Sequence, residues 1–504
     1  MTSTDVAIVG TGPNGLAAGV VLARAGLRVE LHEAADTIGG GLRTAPLFDS
    51  GVVHDLCSAV HPMAAASPFF RAFDLAARGV ELLCPEISYA HPLDGGRAAL
   101  AHRSLDRTCA DLGADGPAWR RLMEPLLERS EAVVDLVLSA QRALPRDPAA
   151  ALLLARRVAL HGSRFGAARF RGEAAPALLA GVAAHAVGRL PSLASAAVAM
   201  LLGHLAHGTG WPLPRGGSER IARALAEDIT AHGGVFRTGH HVRDLAELGG
   251  ARAVLLDIGP KGFLALAGDR LPRGYARSLE RFRYGPGAAK VDFLVSEPIP
   301  WADPAVGRAG TVHLGGSHAE MVRQETANAR GVRTGRPFVL LVDPAVADPG
   351  RALPGKRPVW AYAHVPNGDP TDPYELVRAR IEQYAPGFSD TVLAHRSVPA
   401  AAYEAYNPNY VGGDIGAGAM TLYQSIARPV PRLDPYRTPL PGVFLCSAAT
   451  PPGPSVHGMS GYLAALSALR HCFGTCAVPD LASGSTRLAF GTEKSPRNIH
   501  GGAK

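Results

Sequence analysis

Three glycines, at 10, 12 and 15, follow the apolar run Val6–Val9 and open an Ala/Leu-rich stretch, Pro13–Gly26, with the composition of a helix. A strand that passes into a helix through Gly-x-Gly-x-x-Gly has few ways to fold. The first glycine permits the tight turn, the second lets a diphosphate lie against bare backbone, and the third brings helix and strand together. Pro13 and Asn14 stand in the first helical turn, where unpaired amides and the positive end of the helix dipole favour an anion. Gly19 and Gly26 continue the small-residue spacing. A second strand, Leu27–His32, ends in Glu33, 23 residues after Gly10 and placed to accept hydrogen bonds from a ribose diol. That carboxylate would repel a 2′-phosphate, which disfavours NADP. The run Thr37-Ile-Gly-Gly-Gly-Leu-Arg-Thr44 adds a second glycine-rich turn, through Gly40 and Gly41, that plain NAD-binding domains lack. The pattern predicts an α/β chain with a Rossmann-type FAD-binding domain.

With 504 residues the chain has room for several domains. Residues 105–160 carry Ala, Leu and Arg at helical spacing, with proline breaks near 117, 125, 145 and 148, and a second helical stretch covers 174–207. The turn Trp211-Pro-Leu-Pro-Arg-Gly-Gly-Ser218 precedes a helix over Glu219–Gly233, with Ser218 as its expected N-cap. Short strands are predicted at Val235–Arg237, near Val242 and at Ala253–Leu256. Between 280 and 400, apolar runs at Val291–Val295, Phe338–Val342 and Val359–Ala363 alternate with turns, as in a sheet. Gly442–Cys446 reads as a buried strand, followed by a Pro/Gly loop and an apolar helix from Val456 to Leu469. The expected FAD-binding domain is discontinuous: 1–75, 208–268 and 425–478. A mixed sheet-and-helix substrate domain takes 76–207 and 269–424, and the polar tail 479–504 is expected to be disordered.

Composition excludes several classes. The net charge of +7 comes from arginine, since only five of the 51 basic side chains are lysine, and the arginines are scattered without aromatic interleaving. Nucleic acid is therefore not an expected partner. Six cysteines form no CxxC or zinc spacing, so no metal is expected, and they read as reduced thiols of a cytoplasmic protein. No leader sequence and no uninterrupted run of ~18 apolar residues is expected to direct the chain into a membrane. Neither GxSxG nor GxxxxGK[ST] is present.

Asp5–Thr44, Pro214-Arg-Gly-Gly-Ser218 and Phe444-Leu-Cys-Ser-Ala-Ala-Thr-Pro-Pro-Gly-Pro-Ser-Val-His-Gly-Met-Ser-Gly-Tyr-Leu-Ala-Ala465 together resemble the phytoene desaturase-like flavoproteins. These belong to the wider group of amine oxidases and GDP-dissociation inhibitors. The resemblance implies that the C-terminal strand, loop and helix close the FAD site, with Ser447, Gly453, Ser455, Val456 and His457 beside the flavin. It implies that backbone at Val242 reads the adenine and that Arg43 and Thr44 belong to the flavin-side turn. The chain departs from the family pattern at Ser447 and at Gly453-Pro454-Ser455, where members often carry glycine.

A flavin performs the hydride step itself, so the protein need supply only orientation, a dry pocket and a base. Asp414, the only carboxylate in the glycine-rich run 412–420, is the first candidate for a substrate-facing acid or base. His54 and His61 are the other candidate bases, with structural roles as their alternative. His457 is a candidate hydrogen-bonding residue, and covalent attachment of flavin is left open. Tyr423 and Tyr462 are candidates for an apolar pocket or for core packing. The apolar helices at 151–160 and 193–205 suit a greasy substrate or peripheral membrane contact as well as core packing. The expected activity is FAD-dependent dehydrogenation or oxidation of a mostly apolar small molecule. An amine oxidase acting on C–N bonds and a non-catalytic prenyl-binding protein are the alternatives, and the oligomeric state is left open.

Overall fold

The computed structural model describes residues 4–139 and 144–484. Its first unit is β1 (Val6–Val9), α1 (Pro13–Arg24) and β2 (Val29–His32). Pro13 opens α1, a position where its missing N–H is no loss. Every residue of α1 from Asn14 to Arg24 is buried, so this helix is core rather than surface. The later strands are β3 (Ile87–Leu93), β4 (Arg97–His102), β5 (Val235–Arg237), β6 (Ala253–Leu256), β7 (Gly287–Val295), β8 (Ala309–Leu314), β9 (Val339–Val342), β10 (Arg357–Val365), β11 (Val392–Val398) and β12 (Val443–Leu445). The helices that matter for the site are α2 (Ser130–Leu138), α3 (Pro148–His161), α4 (Ala174–Ala183), α5 (Leu193–His207), α6 (Glu219–Ala231), α7 (Leu422–Ala427) and α8 (Met459–Phe473).

Two sheets organise these elements. The first is five-stranded and wholly parallel, in the order β12–β6–β1–β2–β5, with α1 packed between it and both α6 and α8. Its strands come from three separated parts of the chain. The second is seven-stranded and mixed, in the order β11–β7–β10–β9–β8–β3–β4, with only the β8–β3 pair parallel. Helices α4 and α5 lie against β3 and β4 of this second sheet. Among the described residues no helix is long and apolar enough to cross a membrane.

Four local expectations are corrected. No strand forms near Val242, which lies in coil. Ser218 precedes α6 but makes no side-chain cap, because its hydroxyl donates to the Ser58 carbonyl and pairs with His61 Nε2. Asp55 and Thr44 accept the amides of Ser218 and Glu219 instead. The last helix starts at Met459 rather than Val456: Ser455 and Gly458 have left-handed φ values of 108° and 69°, and His457 Nδ1 accepts the Met459 amide. The tail is ordered at its start, where Leu481 is buried and Arg24 and Arg78 donate to the carbonyls of 480–482. Residues 485–504 of that expected tail lie outside the described residues.

The same two arginines meet Asp228 of α6, at 2.7 Å from Arg24 and 2.8 Å from Arg78, with Asp228 almost wholly buried. Removing one partner of a buried ion cluster strands the remaining charge. Asp228→Ala should therefore destabilise the fold by about 3–5 kcal/mol, seen as a lower denaturant midpoint. An unchanged midpoint would show that the cluster carries no net stability.

Candidate active site

The carboxyl ends of β1, β2, β6 and β12 all open into one cavity of about 1250 Å³. That is where ligands gather in parallel α/β sheets. Single small-molecule pockets occupy roughly 300–1,000 Å³, so this volume suits a cofactor together with a second molecule.

At the first end of the cavity, Gly10, Gly12, Pro13 and Asn14 form the wall. A Cβ on Gly15 would lie 2.1 Å from the Gly10 carbonyl oxygen, so Gly15 serves the packing of the turn and does not itself line the cavity. The Asn14 amide has no protein acceptor among the described residues, and Asn14 Oδ1 is buried without a partner. An amide at a helix N-terminus on the cavity wall fits a diphosphate-bearing ligand, while the orphaned Asn14 Oδ1, an acceptor, fits a hydroxyl or N–H donor instead.

Glu33 ends β2 in the same wall. Its carboxylate accepts from the Thr11 amide and hydroxyl and the Ala35 amide, and pairs with Arg43 at 3.1 Å. Val242, Gly40, Gly41 and Arg43 also line the cavity, with Arg43 held by the Thr37 carbonyl and lying over the Tyr406 ring. Ser447, Ser455 and Val456 approach from the C-terminal strand and loop. Thr44, Gly453 and His457 do not line the cavity. Thr44 bonds Asp55, and both His457 ring nitrogens are engaged, with the Gly453 carbonyl and the Met459 amide. Burial lowers His457 to about 4, so its ring is neutral.

The three candidate catalytic residues take structural positions. Asp414 borders the cavity, but its carboxylate accepts three backbone amides, from Gly285, Gly416 and Gly418, at 2.7–2.9 Å. Burial raises its pKa against those amides and Arg428. Its carboxylate holds together the loop it belongs to. His54 Nε2 bonds the Phe293 carbonyl and His61 Nε2 bonds Ser218, both rings away from the cavity wall. Burial depresses both, His61 to about 4. Tyr423 is exposed, and Tyr462 packs against the core beside Phe69.

Sequence reasoning missed Asp257, at the end of β6. Its carboxylate accepts the Gly15 amide at 2.9 Å and lies 2.6 Å from where a Gly12 Cβ would be. Burial, aided by Glu33 and opposed by amides of Gly15 and Gly12, pushes it up to about 7. The signal was an acid ending an apolar run, in a parallel sheet whose strand ends collect ligands. Arg428, almost fully buried, was missed as well. It donates to the carbonyls of Gln424, Ala448 and Gly418, tying the C-terminal loop to the glycine-rich one.

The family of flavin containing amine oxidoreductases matches residues 14–468, nearly the whole chain. The chain belongs to that family. That family is one of flavin-containing oxidoreductases, and the glycine-lined end of the cavity suits the diphosphate of such a cofactor. Among its relatives is a rat protein, "Pyridine nucleotide-disulfide oxidoreductase domain-containing protein 2", 26% identical over 51% of this chain and 50% of that protein. Its mouse counterpart is 30% identical over 34% of this chain and 32% of the mouse protein. The chain thus matches about half the length of the rat relative and a third of the mouse one. An engineered putrescine oxidase shares the fold at a TM-score of 0.57 and 17% identity, covering 94% of this chain and 99% of that one. Cyclohexylamine oxidase from Brevibacterium oxydans does so at 0.55 and 15%, covering 94% and 98%.

Two outcomes test this end of the site. Gly12→Val puts a branched side chain against Asp257 and into the diphosphate path, and should weaken FAD binding at least about tenfold, the equivalent of ~1.4 kcal/mol. Asp257 is neutral below pH about 7 and ionised above it, where it repels a diphosphate. FAD affinity, measured by quenching of flavin fluorescence, should fall as pH rises through 7 and stay level in Asp257→Asn. Normal affinity in Gly12→Val, or the same pH slope in both proteins, would contradict the assignment.

Proposed function

We propose that this flavoenzyme removes a hydride from a mostly apolar organic molecule, as a dehydrogenase, desaturase or oxidase of the phytoene desaturase-like kind. The observation that carries this reading is the second arm of the cavity. From the glycine-lined end the space continues between α2, α3 and α5, where Leu136, Val137, Val158, Leu193, Val198 and Leu201 line it. Burying apolar groups there gains roughly 25 cal/mol per Å², enough to hold a greasy substrate without ionic anchors.

Bound FAD would supply the hydride acceptor. The chain's own residues do the rest. The aliphatic walls exclude water and orient the substrate, and Arg428 and Asp414 fix the two loops between the cofactor end and the apolar arm. Leu193 and Leu422 line the cavity yet remain exposed, and Ile426 on α7 is also exposed. This apolar rim suits a substrate delivered from a lipid surface, as in peripheral membrane contact. The family and the names of the two amine oxidases support oxidation of a C–N bond as a second reading.

Anaerobic mixing of the FAD-loaded enzyme with panels of small molecules separates these readings through bleaching of the flavin. Bleaching by apolar molecules that lack an amine is the expected outcome. Bleaching by amines alone would favour the second reading, and no bleaching by either class would contradict both.

A further inference from the structure

We infer that the sheet wall of the cavity recognises an uncharged hydrogen-bonding group, a hydroxyl or carbonyl, at one end of an otherwise apolar substrate. The inference rests on the reading of the cavity as the substrate site.

Strand alternation builds this wall. On β8, Thr311 and His313 face one way and Val312 and Leu314 the other. On β10, Trp360 and Tyr362 alternate with Val359, Ala361 and Ala363. The aliphatic set forms a buried cluster on the far face. The polar and aromatic set faces the helices, and the register Thr311–Val342–Trp360 runs straight across three strands. Thr311, Trp360, Tyr362 and His185 border the cavity.

Two of these residues carry unmet hydrogen-bonding capacity. Thr311 Oγ1 and Trp360 Nε1 have no partner among the described residues, and the residues are 1% and 4% exposed. An unpaired buried polar group costs free energy, so its retention points to a ligand that completes it. Beside them His185 Nε2 meets His313 Nε2 at 2.9 Å. Burial lowers His185 to about 3 and holds His313 well below the ordinary imidazole range, so both rings are neutral.

Charge selects against ions here. Asp292 is committed to Lys290 at 2.6 Å, and Glu325 to His364 at 2.8 Å. Neither carboxylate borders the cavity. The Lys290 ammonium lies 5.4 Å from the Trp360 ring centroid, so the aromatic face that would attract a substrate ammonium already carries a cation. A hydroxyl or carbonyl meets a donor at Trp360 and a donor–acceptor at Thr311 with no buried charge to neutralise.

Calorimetry on the FAD-loaded enzyme, with decanol, chlorodecane and decylammonium as probes, tests the inference. Decanol should bind about tenfold more tightly than either of the others, the scale of one buried hydrogen bond. Thr311→Val and Trp360→Phe should each erase most of that preference, leave chlorodecane binding unchanged and retain full flavin content. Thr311→Ser, which keeps the hydroxyl, should bind decanol as the parent does. Decylammonium binding as tightly as decanol, decanol failing to bind, or a preference undisturbed in both variants would overturn the inference. Loss of the dehydrogenase reading itself would be read separately, as a flavin that no apolar molecule reduces.

Discussion

The Gly15 amide donates to the Asp257 carboxylate across 242 positions of sequence, and the rest of the site depends on this contact. It fixes the amino end of α1 against the carboxyl end of β6, the strand that pairs with β1 in the parallel sheet. The contact also has an electrostatic consequence. A carboxylate buried at a helix N-terminus takes the place that an anion would otherwise compete for. Burial answers this by raising Asp257 towards neutrality, while the Asn14 amide is left without a protein partner among the described residues. The turn is thus closed on one side by protein and open on the other to a ligand.

From that junction the fold gathers distant segments. Strands β1, β2, β6 and β12 reach the cavity from residues more than 400 apart, and Arg428 ties the loop after β12 to the glycine-rich loop around Asp414. The second sheet meets this arrangement with one face aliphatic and the other setting Thr311, Trp360 and Tyr362 beside Leu340 and Val342. The enclosed space runs from a cofactor end rich in backbone polarity to an arm lined by leucine and valine.

Much of this was legible in the sequence because glycine spacing and apolar runs have local causes. Gly10, Gly12 and Gly15 predict a strand-turn-helix from sterics alone, and the structure has it. The sheet strands at 291–295, 338–342 and 359–363 fall within β7, around β9 and within β10. Side-chain roles were less legible, because they are set by partners remote in sequence. Asp414 reads as a free acid in its glycine-rich run, but the amide that helps to hold it belongs to Gly285. Ser218 looks like a cap until Ser58 and His61 claim its hydroxyl. Asp257 gave a weak signal because its importance comes from pairing with a turn at the other end of the domain. The alternating polar face of β8 and β10 was present in the sequence, but only the register shows that Thr311 and Trp360 stand in one row.

The roles given to these residues require that an adenine dinucleotide of flavin occupy the cavity beside α1. The flavin content of the purified and FAD-reconstituted chain tests it most directly. The expected result is a yellow protein that absorbs near ~450 nm and releases about one FAD per chain on denaturation. A well-folded protein that stays colourless after incubation with excess FAD would contradict it.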